Sequence, residues 1–284
     1  MIKIQAQLCG DVAELQAFMR PEVVSGCDVA VLFSLGFPPD SLVPMAKTVA
    51  PGVPVLLADC YGIVGFSPAA GRNIELMEAG RGQEYGGVGG DGGKGVVAVV
   101  FSGGGVVADT DALLQAGAAA HMVVAKAGSN VSSLLAQQAT AFYYGGLAKA
   151  TYRYVPLEER FEAIPYFFVS TLAAAEHAVG ATSFTADVKG AVRTLLSQTP
   201  AGSRPEAVAL FPCFMRGKNE YGVNNVEPDA VSALLPGVPV YGMFCHGELG
   251  PRRCLGFDAV EKPQQSCTLH SMTTIVVIHA ANSA

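Results

Sequence analysis

The chain has little charge for its size: 15% of its 284 residues are Asp, Glu, Lys or Arg, with 24 acids against 18 bases and a formal net charge of −6. No run of Lys and Arg is long enough to form a phosphate-binding stripe, so nucleic acid is excluded as an expected partner. Apolar runs of bilayer-crossing length are also missing, and the opening MIKIQAQLCGDVAELQ has no continuous apolar stretch of the signal-peptide kind. The expectation is a soluble protein of the cytoplasm, with the nucleus also open to it, and with no membrane partner. Seven cysteines show neither disulfide-framework spacing nor paired Cys-x-x-Cys arms. Several stand inside apolar runs such as YGMFCHG, where a reduced thiol packs as a small hydrophobe. No metal site and no cofactor are expected. One glycine-rich stretch, GVGGDG at 87–92, has the spacing of a dinucleotide loop, but it precedes a strand and opens no helix, so that reading lacks its mechanism.

What the chain does have is apolar bulk, half of all residues, and that is the composition of a well-buried globular fold. It also has a repeated phrase. PGVPVLLADCYGIVG at 51–65 returns as PGVPVYGMFCHGELG at 236–250, with eight of fifteen positions identical and no gaps. A short, wholly apolar run precedes each copy, VAVLF at 29–33 and AVALF at 207–211, as expected of strands buried on both faces. Between run and phrase the spacing predicts helices, with Leu42, Met45, Ala46 and Val49 on one stripe and Val231, Leu234 and Leu235 on the other. Asp40 and Ser41 are candidate caps of the first, and Pro228 suits the opening of the second. Each unit therefore reads strand, helix, strand, the Pro-Gly pair making the turn into a parallel partner. A weaker third instance starts at HMVVAK, residues 121–126, and ends on YYGG at 143–146. The expected class is α/β or α+β: two related halves, 1–155 and 156–284, with mixed sheets packed against outer helices.

In open α/β sheets ligands sit beyond the carboxyl ends of the strands. If both strand ends of the later unit converge, Cys213, Arg216, Gly217, Cys245, His246, Gly247 and Glu248 share one neighbourhood. The earlier copy has Tyr61 and Ile63 where the later has His246 and Glu248, so acid-base capacity is confined to the second. Arg216 and Glu248 could grip the carboxylate and amine of a small zwitterion, or pair with each other. Gly247 and Gly250 would permit a tight turn. Cys213 with His246 is the one thiol-imidazole pairing that geometry allows, since Cys245 and His246 are strand neighbours pointing apart. His270, Ser271, Thr273 and Thr274 stand just before or inside a strand, in capping or hydrogen-bonding positions.

LFPCFMRGKN, the later phrase with its preceding helix, and LHSMTTIVVI together resemble the C-terminal segment of the FIST-domain family, most closely as it occurs in F-box only proteins. GFPPDSLVPMAKTVAPGVPVLLADCYGIVG is similar to the N-terminal segment of that family, so the likeness covers nearly the whole chain. The resemblance implies a paired FIST module, a sensory unit that binds small ligands such as amino acids, with no established catalytic activity. It places signature positions on Cys213, Arg216, Gly217, Gly247, Glu248, Gly250, His270 and Thr273. In F-box members the module captures proteins for ubiquitination, but no F-box fits ahead of VAVLF, which leaves a Skp adaptor without its docking element. The leading expectation is a non-catalytic sensor or adaptor binding a small polar, amino-acid-like ligand or a protein partner, with an F-box-type ubiquitin-ligase component and a Cys-dependent hydrolase as alternatives.

Overall fold

A computed structural model describes residues 3–78, 93–103, 106–109, 120–131, 135, 142–171, 176–182, 188–199, 201–251, 254–255 and 267–282. The glycine-rich stretch at 87–92 lies outside them. The fold is mixed α/β, built on three mixed sheets with short helices.

Besides a two-residue parallel pairing at one edge of the third sheet, three strand pairs are parallel, one in each sheet. They are β2 (Cys27–Leu35) with β3 (Val55–Asp59), β8 (Ala120–Lys126) with β9 (Phe142–Ala148), and β14 (Ser203–Pro212) with β15 (Val240–Met243). The first and third are the pairs that the repeated phrase predicts, and the second is the weaker instance. Parallel neighbours require a crossover connection, which the intervening segments provide. In the first crossover the chain forms a short 3-10 turn, Pro39–Leu42, running into helix Val43–Ala46. Leu42, Met45, Ala46 and Val49 are all buried, as the stripe required. The cap differs from expectation: Pro38 occupies it, and Ser41 instead donates back to the Pro38 carbonyl at 2.7 Å. Both Pro-Gly turns hold glycine at positive φ, Gly52 at 89° and Gly237 at 79°, a conformation costly for other residues.

Each parallel pair is extended in the same way. An antiparallel strand flanks its first member: β6 (Gly95–Ser102) on β2, β12 (Tyr166–Thr171) on β8, and β19 (Thr274–Asn282) on β14. Beyond these lie β1 (Lys3–Cys9), β7 (Val106–Asp109) and β13 (Glu176–Thr182). On the other side, the strand leaving each unit crosses to a neighbouring one. β4 (Gly62–Ser67) pairs with β15, β16 (Glu248–Pro251) with β9, and β10 (Ala150–Val155) with β3, each antiparallel. Hairpin partners β5 (Arg72–Met77), β18 (Cys267–His270) and β11 (Arg160–Ile164) complete the sheets, and β17 (Cys254–Leu255) adds to β13. First unit passes a strand to third, third to second, and second to first.

The arrangement is thus a closed ring of three strand-exchanging units where two related halves were expected. A division between residues 155 and 156 falls in the β10–β11 hairpin, and all three sheets draw strands from both sides of it. Period-two alternation then explains the continuous apolar runs. Val29, Val31 and Phe33 face a central core shared with Met122, Val124, Ala207, Ala209 and Phe211 from the other sheets. Their neighbours Ala30 and Leu32, Val123 and Ala125, and Val208 and Leu210 face three separate outer clusters. Strands buried on both faces have no polar side to alternate with.

Candidate functional site

The ring brings together the strand ends on which the sequence reading focused. Cys213, one residue beyond β14, bridges Cys245, two beyond β15, as parallel neighbours. The Cys245 amide donates to the Pro212 carbonyl at 2.7 Å and the Phe214 amide to the Cys245 carbonyl at 2.9 Å. Gly247 adopts φ 144°, which aims the chain into β16, and a Cβ there would lie 2.9 Å from Leu269 Cδ1. The Thr273 carbonyl accepts from the Cys213 amide at 2.8 Å, so the turn before β19 closes the same corner. Between these segments lies a cavity of about 430 Å³. One wall is Cys213, Phe214 and Met215, the second His246 and Gly247, and the third the turn Leu269, His270, Ser271 and Met272.

His246 is exposed, and its ring stacks on Phe214 at 5.2 Å with 8° between planes. Tyr61 stands 5.8 Å from both rings. Pairing registers explain that convergence. Ile63 faces Met243, Thr151 faces Ala58 and Glu248 faces Gly146, so the residues two before them, Tyr61, Lys149 and His246, occupy equivalent places around the ring. Lys149 Nζ lies 5.6 Å from the centre of the Tyr61 ring and makes an ion pair with Glu78 at 2.8 Å. The tyrosine that replaces histidine in the earlier phrase therefore packs beside two residues that line the cavity, Phe214 and His246.

Arg216 and Glu248 do not face each other as an ion pair. Arg216 is fully buried with Nε 2.5 Å from Glu227 Oε1, its Nη2 donates to the Tyr221 hydroxyl at 2.6 Å, and its Nη1 reaches the Met272 carbonyl at 3.5 Å. Tyr221 passes a hydrogen bond on to Glu227 at 3.0 Å, and the Thr274 hydroxyl donates to the same carboxylate at 2.8 Å. Burial opposes the guanidinium charge, yet the Glu227 carboxylate outweighs it and holds the group firmly protonated. Neither Glu227 nor Tyr221 was singled out in the sequence. An acid in the first turn of a helix, here Val226–Ser232, ordinarily serves the helix dipole in solvent, and nothing local marks this one as buried.

Glu248 is fully buried, and its Oε2 accepts from the Thr273 amide at 3.2 Å and the Thr273 hydroxyl at 2.9 Å. Its Oε1, equally buried, receives no N–H or O–H donor from the described residues. Burial pushes this carboxyl up to about 8, against the weaker pull of the Thr273 hydrogen bonds, the Cys213 thiol and the Arg216 charge. Burial therefore favours the protonated form of Glu248 around neutral pH. Burial first, and the Glu248 charge second, push the Cys213 thiol up to about 11, and burial likewise raises the Cys245 thiol well above its ordinary value. His270 Nε2 donates to the Pro251 carbonyl at 2.8 Å. Gly217, at φ 64°, precedes the short helix Lys218–Tyr221, and a Cβ there would stand 3.0 Å from the Phe244 ring. Gly250 serves packing in place of a turn: it lies within β16, and a Cβ there would stand 2.4 Å from Ile275 Cδ1.

Of the predicted residues, Cys213, His246 and Gly247 line the cavity, whereas Arg216, Gly217, Cys245 and Glu248 form the layer behind it. The chain matches no protein-family model and no curated protein. No helix among the described residues is long and apolar enough to cross a membrane.

Proposed function

We propose that this chain is a non-catalytic sensory or adaptor protein of the FIST type, taking a small polar ligand in the cavity at the strand ends of its third unit, by itself or as a prelude to binding a protein partner. The cavity carries the proposal. Its volume of about 430 Å³ lies within the range of small-molecule sites, and it combines an apolar lining with a few polar groups, as such sites do. The likeness of its walls to FIST signature segments points the same way, because Cys213, Gly247 and His270 border the cavity and Thr273 fixes Glu248 behind it.

Catalysis by thiol is the less favoured alternative. A thiol held near 11 supplies almost no thiolate at neutral pH, and His246 is engaged in the stack on Phe214. A ubiquitin-pathway role rests on resemblance alone. The test is a thermal-shift screen against amino acids, small amides and small carboxylates. A ligand at a hundred times its Kd adds about 2.7 kcal/mol of stability, whereas a flat response across the screen counts against the ligand reading. Recovery of a partner only in the presence of a stabilising compound would join ligand to adaptor function.

A further inference from the structure

Resting on the ligand reading above, we infer that the cavity selects uncharged planar aromatic or heteroaromatic compounds carrying an amide-like hydrogen-bonding group, and discriminates against zwitterions and carboxylates. The charges around the cavity are already matched within the protein. Arg216, the cation nearest in sequence to the lining, is fully buried and spends Nε on Glu227 and Nη2 on Tyr221. Lys149, 5.6 Å from the centre of the Tyr61 ring, pairs with Glu78 at 2.8 Å and lies 3.9 Å from Asp59. A ligand carboxylate entering here loses water and must compete with Glu227 or Glu78 for a cation. A ligand ammonium finds no carboxylate among the lining residues. Burying a charge without a matched partner is the most heavily penalised transfer available to a small molecule.

What the walls do present suits a neutral ring. His246 and Phe214 form a nearly parallel stack with Tyr61 beside both, an aromatic border that favours another flat π-system. Met215 and Met272 add polarisable thioethers, which make favourable contacts with aromatic rings. Hydrogen bonding comes from the Ser271 hydroxyl, donor and acceptor at once, and from His270. Because His270 Nε2 donates to the Pro251 carbonyl, its Nδ1 is left as an acceptor in the neutral ring. A group with both N–H and C=O, such as a carboxamide, matches that pair, whereas a carboxylate offers acceptors only. Phe214 and His246 belong to the third unit and Tyr61 to the first, so strand exchange between units completes the aromatic border.

The test is a matched series on one ring, using benzamide, benzoate, benzylamine and phenylglycine, titrated into the full chain at neutral pH by thermal shift and ligand-observed NMR. Benzamide is expected to bind at least ~tenfold more tightly than the three charged members. Leu269→Trp, at a rim position 44% exposed, fills the mouth without entering the core and should weaken benzamide by about the same factor. His246→Ala removes the stack from an exposed position and supplies a second variant should the first unfold. Benzoate or phenylglycine binding as tightly as benzamide, and losing affinity in Leu269→Trp, overturns the selectivity while leaving the cavity as a ligand site. Absence of binding by all four up to millimolar concentration, or benzamide binding unchanged in both variants, overturns the selectivity and the cavity reading together.

Discussion

Replacing Glu248 by Gln should stabilise the protein at neutral and alkaline pH and flatten its dependence on pH. The carboxyl titrates at about 8 in the fold against an ordinary 4.5, so the folded state holds a proton that the unfolded state releases. Stability from this group is therefore complete below pH ~4.5 and is lost as pH climbs towards ~8. Integrated over that gap, the loss is ~3 kcal/mol at pH 7 and ~5 kcal/mol above pH 8. Gln keeps the side-chain oxygen that accepts from the Thr273 amide and hydroxyl and removes the ionisation. Asp59, also raised by burial, contributes a dependence of the same sign, so the difference between the two proteins isolates Glu248. Urea unfolding from pH 5 to 9 is the assay. The variant should match the parent within about 1 kcal/mol at pH 5 and exceed it by about 3 kcal/mol or more at pH 8. Parallel profiles, or a variant less stable than the parent at pH 8, would refute the assignment of a neutral buried carboxyl.

Arg216→Met strands the Glu227 carboxylate in the interior and should cost about 3–5 kcal/mol, while adding Glu227→Leu should recover at least half of it; urea denaturation of the single and double variants checks this. Gly250→Ala pushes a methyl towards Ile275 Cδ1 and should destabilise by about 1–3 kcal/mol, with Ile275→Val, which lacks that carbon, relieving the effect in a double-mutant cycle. Native-state alkylation of Cys213 at pH 8, followed by mass spectrometry, should run at least ~100-fold slower than in urea. Rapid labelling at that residue would restore the hydrolase alternative.

The outer edges of this fold were legible because they are local. Pro-Gly turns, apolar runs and a helical stripe at Leu42, Met45 and Ala46 each follow from a few adjacent residues, and each is found where the pattern places it. The ring closure was not legible. Its joins, such as Gly242 with Val64 and Glu248 with Gly146, link residues a hundred or more apart. The second unit keeps the fold but not the letters: Ala148 and Lys149 stand where the others have cysteine before tyrosine or histidine. Two similar phrases therefore suggested two halves, and the third member, only a weak instance in the sequence, takes its place through its pairing. The same limit applies to the site. Glycine spacing and strand-end position located Cys213, His246 and Gly247, but the true ion partner of Arg216 depends on how helix Val226–Ser232 docks, which no spacing encodes.

Occupation of the cavity at the third unit's strand ends by a small molecule can be read directly from the methionine methyl groups. Of the eight methionines, Met215 and Met272 line the cavity, whereas Met19 and Met45 are buried in a different cluster under the first sheet. Titration of methyl-labelled protein with a stabilising compound should move the Met215 and Met272 resonances first and by the largest amount. Shifts centred on Met19 and Met45, with Met215 and Met272 unmoved at saturation, would contradict it.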